Sequence, residues 1–548
     1  MNVPRPSRAA RIKHAVASRF LALPGGKAIV KAGRAVLSVG RGFSVSGTLR
    51  EAQHHLLMGR PDLALAAHDK ILSLYPHDRA IRIARVHSLL RLDRVAEARA
   101  ECVALIAEPD LPLDMRVTLN WRLAECECRS GRIDEALRLT KWTDEVPTRH
   151  NLAELMINDY ADFAAADALY ADTERYQREL QRWVAPGCER TRFFSADWVR
   201  LIGHIGLLDL CVKANKLGWT PYDRLVLAAP PKSVANPHFL EYLRPHFDIR
   251  QDPLAAQLGE HLGPRVACRV HLPDGSARYF CEGMGAIQEQ WEREKRPPLL
   301  TLSAADREFA DGLYRKLGIP AGAWVVAMHA RSPGFHWESY SPHQAHRNTD
   351  IRTYFPAIAE IVRRGGWVVR LGDPSMPLLP PMPGVVDYAH SNDKSQRADV
   401  VLCGGSRFFI GCASGLCHLP VSFGVPTLLT NWCSNQLPMF GGGDRFVPKR
   451  LRERETGRPL TFAEMLDPPN RIAAYSGTRL IARGFEWIDN TADEILGAVT
   501  EMLDPPAPPN EWAAEYDRLA RASGQVGFSR LANAFAAKHA GLLSEPEA

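Results

Sequence analysis

Two apolar runs, one ending in an arginine and one in a serine–glycine pair, set the chemistry open to this chain. Trp324–Met328 (WVVAM) leads directly into His329-Ala330-Arg331. Phe408–Ile410 leads into Gly411-Cys412-Ala413-Ser414-Gly415, then an apolar segment, Gly424-Val425-Pro426 and a further run at Thr427–Leu429. Each run reads as a buried strand that delivers polar or small residues to the carboxyl edge of a parallel sheet, where open α/β sheets bind ligands. The second is a βαβ unit. Small residues between its strand and its helix leave backbone N–H groups bare at the positive end of the helix dipole, a seat for phosphate oxygens; otherwise they simply permit tight packing. Ser414 can cap that helix or donate to a phosphate, and His418 stands one turn further on. The planar guanidinium of Arg331 suits a diphosphate better than an ammonium would; the alternative is a surface ion pair.

Further polar groups fall at the ends of neighbouring elements: His346, Arg347, Asn348, Asp373, His390 and Ser391. Arg347 offers a second cation for the same anion. Asn348, Thr349 and Asp350 also read as helix caps, the last two preferentially so. Asp373, before Pro374, is either a turn residue or a ligand for ribose or base edges. Earlier in the chain, Gly203-His204-Ile205-Gly206 precedes the apolar pattern Leu207–Cys211. Read as a glycine-rich loop entering a helix, it admits a close approach to the backbone, and His204 is a candidate base or else an uncommitted loop histidine. No metal site is expected. Cys412, Cys417 and His418 fall short of the four ligands of a tetrahedral site, and Asp393 and Asp399 are isolated. The 11 cysteines are odd in number and include no CxxC, which points to reduced thiols in the cytoplasm.

The elements that must position these groups follow from the rest of the 548 residues, a length that calls for more than one domain. Residues 1–50 form a basic arm with ten Lys or Arg residues and no acid; the remainder is slightly acidic. That balance argues against nucleic-acid binding by the body. The arm is either a tail without a partner or a membrane-surface helix pair, with Phe20, Leu21, Ile29, Val30, Val36 and Leu37 set among cations, so peripheral contact at the inner face of the plasma membrane is one expectation. Nothing is long and apolar enough to span a bilayer, and no secretory signal is expected. Residues 51–180 are helical and repetitive. Gly59, Asp93 and Gly131 each stand five residues before an alanine (Ala64, Ala98, Ala136), and the first two alanines are 34 apart. That is the tetratricopeptide (TPR) period, and a TPR-type solenoid would offer a protein partner a surface; a plain helical bundle is the alternative. Residues 190–302 read as a first α/β lobe and 303–500 as a doubly wound second lobe, whose first helix is capped by Ser303. The helices of 501–548 are expected to cross back and pack on the short first lobe.

The spacing of Ser414-Gly415, His418-Leu419, Gly424 and Pro426 resembles the nucleotide-sugar site of GT-B glycosyltransferases, where an SG-x-x-H-L-x-x-x-x-G-x-P pattern holds the donor diphosphate. His329-Ala330-Arg331 resembles the H-x-R motif of the GDP-fucose-using transferases, which include the nodulation and protein O-fucosyltransferases and whose arginine contacts the donor diphosphate. From His329 to Trp432 the chain is similar to a family of bacterial glycosyltransferases that share this plan. The matching pieces are HAR, HRNTDI at His346–Ile351, RLGDPSM at Arg370–Met376, DYAHS at Asp387–Ser391, Lys394-Ser395, and FFIGCASGL through TNW. The family continues H-V-R-D, whereas Ala330 and Ser332 stand here; if that acid serves catalysis in relatives, its absence bears on activity. The resemblance implies a two-lobed, Rossmann-like GT-B architecture behind an all-α region, with 190–302 on the acceptor side and 303–500 on the nucleotide-sugar side. It also implies a metal-independent, inverting transfer from a nucleotide-sugar, GDP-sugars included. The acceptor would be a hydroxyl of a surface glycan, glycolipid or protein, as in polysaccharide biosynthesis, and no further cofactor is implied. With the residue reading, the donor would be held by His329, Arg331, Arg347, Asn348, Asp373, His390, Ser391, Ser414, Gly415 and His418, with Arg331 and His204 in catalysis. The alternative is a non-catalytic TPR scaffold carrying a nucleotide-sensing or inactive transferase-like domain.

Overall fold

The computed structural model of the chain describes residues 45–57, 60–139, 145–160, 162–220, 222–266, 269–333, 345–433, 438, 440–474, 477–525 and 527–543. The chain divides after Thr173 into two compact units. Most of the basic arm, and Gly59 of the first repeat, lie outside the described residues.

The first unit is helical: α1 (Val45–Leu57), α2 (Pro61–Leu72), α3 (Arg79–Arg91), α4 (Val95–Ile106), α5 (Leu113–Arg129), α6 (Ile133–Leu139) and α7 (Glu145–Tyr160), then α8 (Phe163–Val184), in which the division falls. From α1 to α6 each helix packs against the next. The alanine spacing has a local cause. Asp93 and Gly131 take left-handed conformations (φ 61° and 74°), which reverse the chain after α3 and α5. Arg94 N–H and Arg132 N–H then close each helix end by donating to Leu89 O and Glu127 O, both at 2.9 Å. Five residues after each turn residue, Ala98 and Ala136 are fully buried, as is Ala64, small enough to let neighbouring helices approach. Leu65, Val86, Leu89, Leu90, Leu105 and Leu119 fill the space between.

The second unit holds two parallel sheets. The smaller has the order β1-β2-β3: β1 (Thr191–Phe194), β2 (Arg224–Ala228) and β3 (Asp248–Arg250). Helix α9 (Ile202–Lys216) follows β1, and α10 (Phe280–Arg293) follows the antiparallel pair β4 (Arg269–His271) and β5 (Ala277–Tyr279). The larger sheet has seven strands in the order β14-β11-β10-β9-β6-β7-β8, every pairing parallel. Its members are β6 (Val325–Met328), β7 (Trp367–Arg370), β8 (Val385–Val386), β9 (Phe408–Gly411), β10 (Thr427–Trp432), β11 (Arg445–Pro448) and β14 (Arg530–Leu531); β12 (Arg450–Glu453) and β13 (Phe485–Ile488) form a separate antiparallel pair. Its central strands are apolar on both faces because helices cover both, as parallel sheets require.

From β6 the chain steps to β7 and β8 on one side, then returns to β9 on the other and proceeds to β10, β11 and β14. Strand order therefore reverses between β6 and β9, the two strands that the sequence marks by Arg331 and by Ser414-Gly415.

Three expectations change. Gly203–Gly206 is not a loop but the first turns of α9. The helix after Ser414 is short: a 3-10 turn at Gly415–Cys417, then α11 (His418–Ser422). The chain beyond 501 does not simply cross to the first lobe. It adds β14 to the edge of the large sheet, and Tyr516 of its helix Glu511–Ala522 packs on Phe446 and Phe462. Contact with the first lobe runs through Arg278 to Gly524 O and through Arg521 near Glu289. The apolar strands already available in the large sheet explain the preference. The Ser303 cap is present, its hydroxyl accepting from Asp306 N–H.

Candidate functional site

All seven strands of the large sheet end on one edge, and the polar groups gather there. Beyond β6, Arg331 N–H donates to the Cys412 thiol at 3.2 Å, bridging the two strands at which the order reverses. The turn 345–349 lies across this junction. Thr349 N–H donates to Arg331 O at 2.9 Å, and Arg347 donates through Nε to Ala413 O at 2.7 Å. His346 stacks on Trp487 of β13 with centroids 4.7 Å apart. Asn431, in the left-handed region (φ 50°), donates through Nδ2 to Thr349 Oγ1 at 2.9 Å. It also exchanges hydrogen bonds with Asn490, whose N–H donates to Asn431 Oδ1 at 2.8 Å. Tyr354 Oη lies 2.6 Å from Thr430 Oγ1, and that hydroxyl also reaches Gly411 O. The ends of β6, β9 and β10 are thus fastened to the arginine-bearing turn.

The electrostatics follow. Burial pushes the Cys412 thiol up, against the opposing pull of the Arg331 N–H and of the charges on Arg347, Arg331 and Lys449. Cys433, at the end of β10, feels the same three cations while burial raises it to about 11. Arg331 and Arg347 therefore stand at the edge of β6 and β9, a setting that favours an anion, while the enclosed Lys449 is paired with Asp489 at 2.6 Å. Asn348 Oδ1 and Ser332 Oγ are buried there without a hydrogen-bond partner among the described residues.

Burial holds three of the histidines, His329, His418 and His204, towards the neutral form. Burial lowers His329 to about 4, and its Nδ1 lies 3.2 Å from Leu371 O, leaving Nε2 with its lone pair. Burial likewise lowers His418 to about 4, with His204 and Arg347 adding to the effect; its ring meets Phe440 edge-on at 5.2 Å. His418 therefore brings no positive charge to a bound anion. His204 is also lowered by burial, and its Nδ1 lies 2.9 Å from Asp197 O.

The segment Ser414–His418 is packed from the first lobe. A Cβ on Gly203 would lie 2.7 Å from Gly415 Cα, and one on Gly206 would lie 2.6 Å from His418 Cβ. The glycines of α9 are there so that helix and turn can touch. Ser414 makes no capping hydrogen bond. On the β7–β8 side, Asp373 accepts from Ser375 N–H at 2.8 Å, a local turn. His390 Nε2 lies 3.0 Å from Met376 O, and Ser391 Oγ accepts from Asp393 N–H at 3.1 Å. The structure brings Arg331, Arg347 and the Cys412–Gly415 turn together. Asp373, His390 and Ser391 form a second group past β7 and β8.

No family model matches this sequence, and no curated protein matches it. Solved structures match in part. A family 9 glycosyl transferase from Veillonella parvula is 14% identical over 42% of this chain and 62% of its own, with a TM-score of 0.20. The iron-containing dodecameric glycosyltransferase TibC of enterotoxigenic E. coli is 15% identical over 47% of this chain and 60% of its own, with a TM-score of 0.27. An O-GlcNAc transferase from Thermobaculum terrenum is 14% identical over 91% of this chain and 96% of its own, with a TM-score of 0.18. The chain spans less than two thirds of the length of the first two.

Sequence reasoning missed Lys449. It follows the apolar strand β11, so the strand-end rule that singles out Arg331 would have found it. It missed the Asn431–Asn490 pair for a different reason: 59 residues separate the partners, and only the fold brings them together.

Proposed function

We propose that the chain is a GT-B type glycosyltransferase, moving a sugar from a nucleoside-diphosphate donor to a hydroxyl acceptor without a metal ion. The observation that carries this reading is the reversal of strand order between β6 and β9, with Arg331 and Arg347 both placed at that junction. Ligands of open parallel sheets bind at such switch points. Fixed cations there stabilise the charge that grows on a departing nucleoside diphosphate, the role a metal plays elsewhere. His204 supports a base role: neutral, with Nδ1 engaged at the Asp197 carbonyl, it keeps an Nε2 lone pair for an acceptor proton. It belongs to the same turn of α9 as Gly203, which touches Gly415. Inversion, a GDP-sugar donor and a glycan, glycolipid or protein acceptor follow from the sequence resemblance alone. TPR-type repeats that recruit a protein partner are proposed from the alanine period, and a membrane-surface role for the basic arm from its charge and apolar residues.

One observation favours the non-catalytic alternative. Gly415, expected to present its backbone to phosphate, is packed against Gly203. Thermal-shift titration of the full chain with GDP, UDP, ADP and TDP separates the transferase reading from an inactive domain, since a bound diphosphate raises the melting temperature by mass action. Release of nucleoside diphosphate from a nucleotide-sugar separates it from a nucleotide sensor. Arg331→Ala should abolish that shift while melting like wild type without ligand, and EDTA should leave transfer unchanged. A wild-type chain that none of the four nucleotides stabilises refutes the transferase reading.

A further inference from the structure

Lys449 is 2% exposed, an unusual place for an ammonium. It donates to Asn348 O at 2.9 Å and to Asp489 Oδ1 at 2.6 Å. Asp489 is half exposed, so the pair is solvated on its acidic side and enclosed on its basic side. An apolar side chain of similar volume would serve packing as well or better, since enclosing a charge costs desolvation. What an apolar side chain would not do is grip a main-chain carbonyl. The carbonyl gripped belongs to the residue next to Arg347. The same turn is held by Arg331 O, by Ala413 O through the Arg347 Nε bond, and by Asn431 at Thr349. Lys449 supplies the hold from the β11 side, and its own ammonium is too enclosed to reach a ligand.

We propose that Lys449 is a positioning residue for the anion site: through the Asn348 carbonyl it fixes the backbone from which Arg347 reaches over the end of β9. The inference rests on the switch-point site of the proposed function, but it concerns a residue that neither motif contains. It predicts that Lys449 and Arg347 act as one unit, because removing the holder and removing the held group forfeit the same interaction.

The test is a double-mutant cycle in the full-length chain, with inorganic pyrophosphate as the probe in low-salt calorimetry. Lys449→Met should weaken pyrophosphate binding by about tenfold, the scale of one charged hydrogen bond. Arg347→Ala should weaken it at least as much, and the double variant should bind no more weakly than Arg347→Ala alone. Asp489→Asn removes the lysine's other partner and should stay within about twofold of wild type. Additive losses, or undiminished binding by Lys449→Met, overturn the proposal. Hydrogen exchange supplies a readout that needs no ligand: the amides of 347–349 should exchange faster in Lys449→Met than in wild type, and an unchanged rate overturns the proposal. A wild-type chain that binds no pyrophosphate refutes the anion-site reading, and exchange alone then judges the lysine.

Discussion

At the scale of single residues, the large sheet's edge is held by polar groups that have partners only because the fold is complete. Asn431 and Asn490 are the clearest case, each almost fully buried and each bonded to the other's backbone. Asn490→Ala would strip Asn431 of a buried acceptor and Pro448 O of a donor. It should cost about 2 kcal/mol in denaturant unfolding, the usual penalty for orphaning buried polar groups; a change below the error of the fit would show that water replaces the amide. Asn431 itself tolerates its left-handed backbone because asparagine is among the few side chains that do. Arg331 was legible in the sequence because a strand end announces it; Arg347 was legible only as a cation beside helix caps, in a turn that no strand among the described residues enters. Asn348, Thr349 and Asp350 were legible as caps only in part: Asp350 caps the short turn at Ile351–Tyr354, whereas Thr349 accepts from Asn431 and Asn348 offers its carbonyl to Lys449.

At the scale of elements, α9 against the turn after β9 decides how the lobes meet. Glycine is a poor helix former, and two glycines within four residues argue for a loop when local propensity is all one has. Here the missing side chains are what the contact needs, so close packing wins over propensity. Gly203→Ala places a methyl group 2.7 Å from Gly415 Cα, backbone against backbone. It should destabilise by about 1–3 kcal/mol, the cost of overpacking, whereas Gly312→Ala, with nothing near the added carbon, should not destabilise. Equal stability of the two variants would mean that the lobes part easily. The same geometry changes how a side chain at Gly415 acts. The sequence suggests that it would intrude on a phosphate, but the structure has it meet Gly203 at 3.1 Å, so Gly415→Val should act through lobe packing. The sheet's alternation of strand and helix was readable from apolar runs; β14 was not, being two residues long and defined only by its neighbour.

At the scale of the whole second unit, stability against pH is the sum of opposing groups. Burial holds Asp444 up at about 7, against backbone N–H groups of Thr427 and Gly441 that favour its ionised form, while Glu292 adds like charge. Its stabilising protonation is complete below the ordinary carboxylate range and is lost as pH rises through 7. His329 and His418, lowered by burial to about 4, act the other way: their contribution is complete above 6.5 and is lost as pH falls through 4. Between pH 4 and 7 the slopes oppose each other. Asp444→Asn removes one of them, so its melting temperature should climb more steeply from pH 4.5 to 7 than that of wild type; parallel curves would show that Asp444 is ionised throughout. The placement of β14 has a consequence for synthesis. Its partner β11 pairs with it at Arg445–Arg530 and Phe446–Leu531. Until residue 531 has left the ribosome, the outer edge of β11 stays open, and that edge can recruit a strand from another nascent chain. The sheet that carries the site thus waits for its border, and the interval in which the chain can misassemble is set by the time taken to translate residues 449–531.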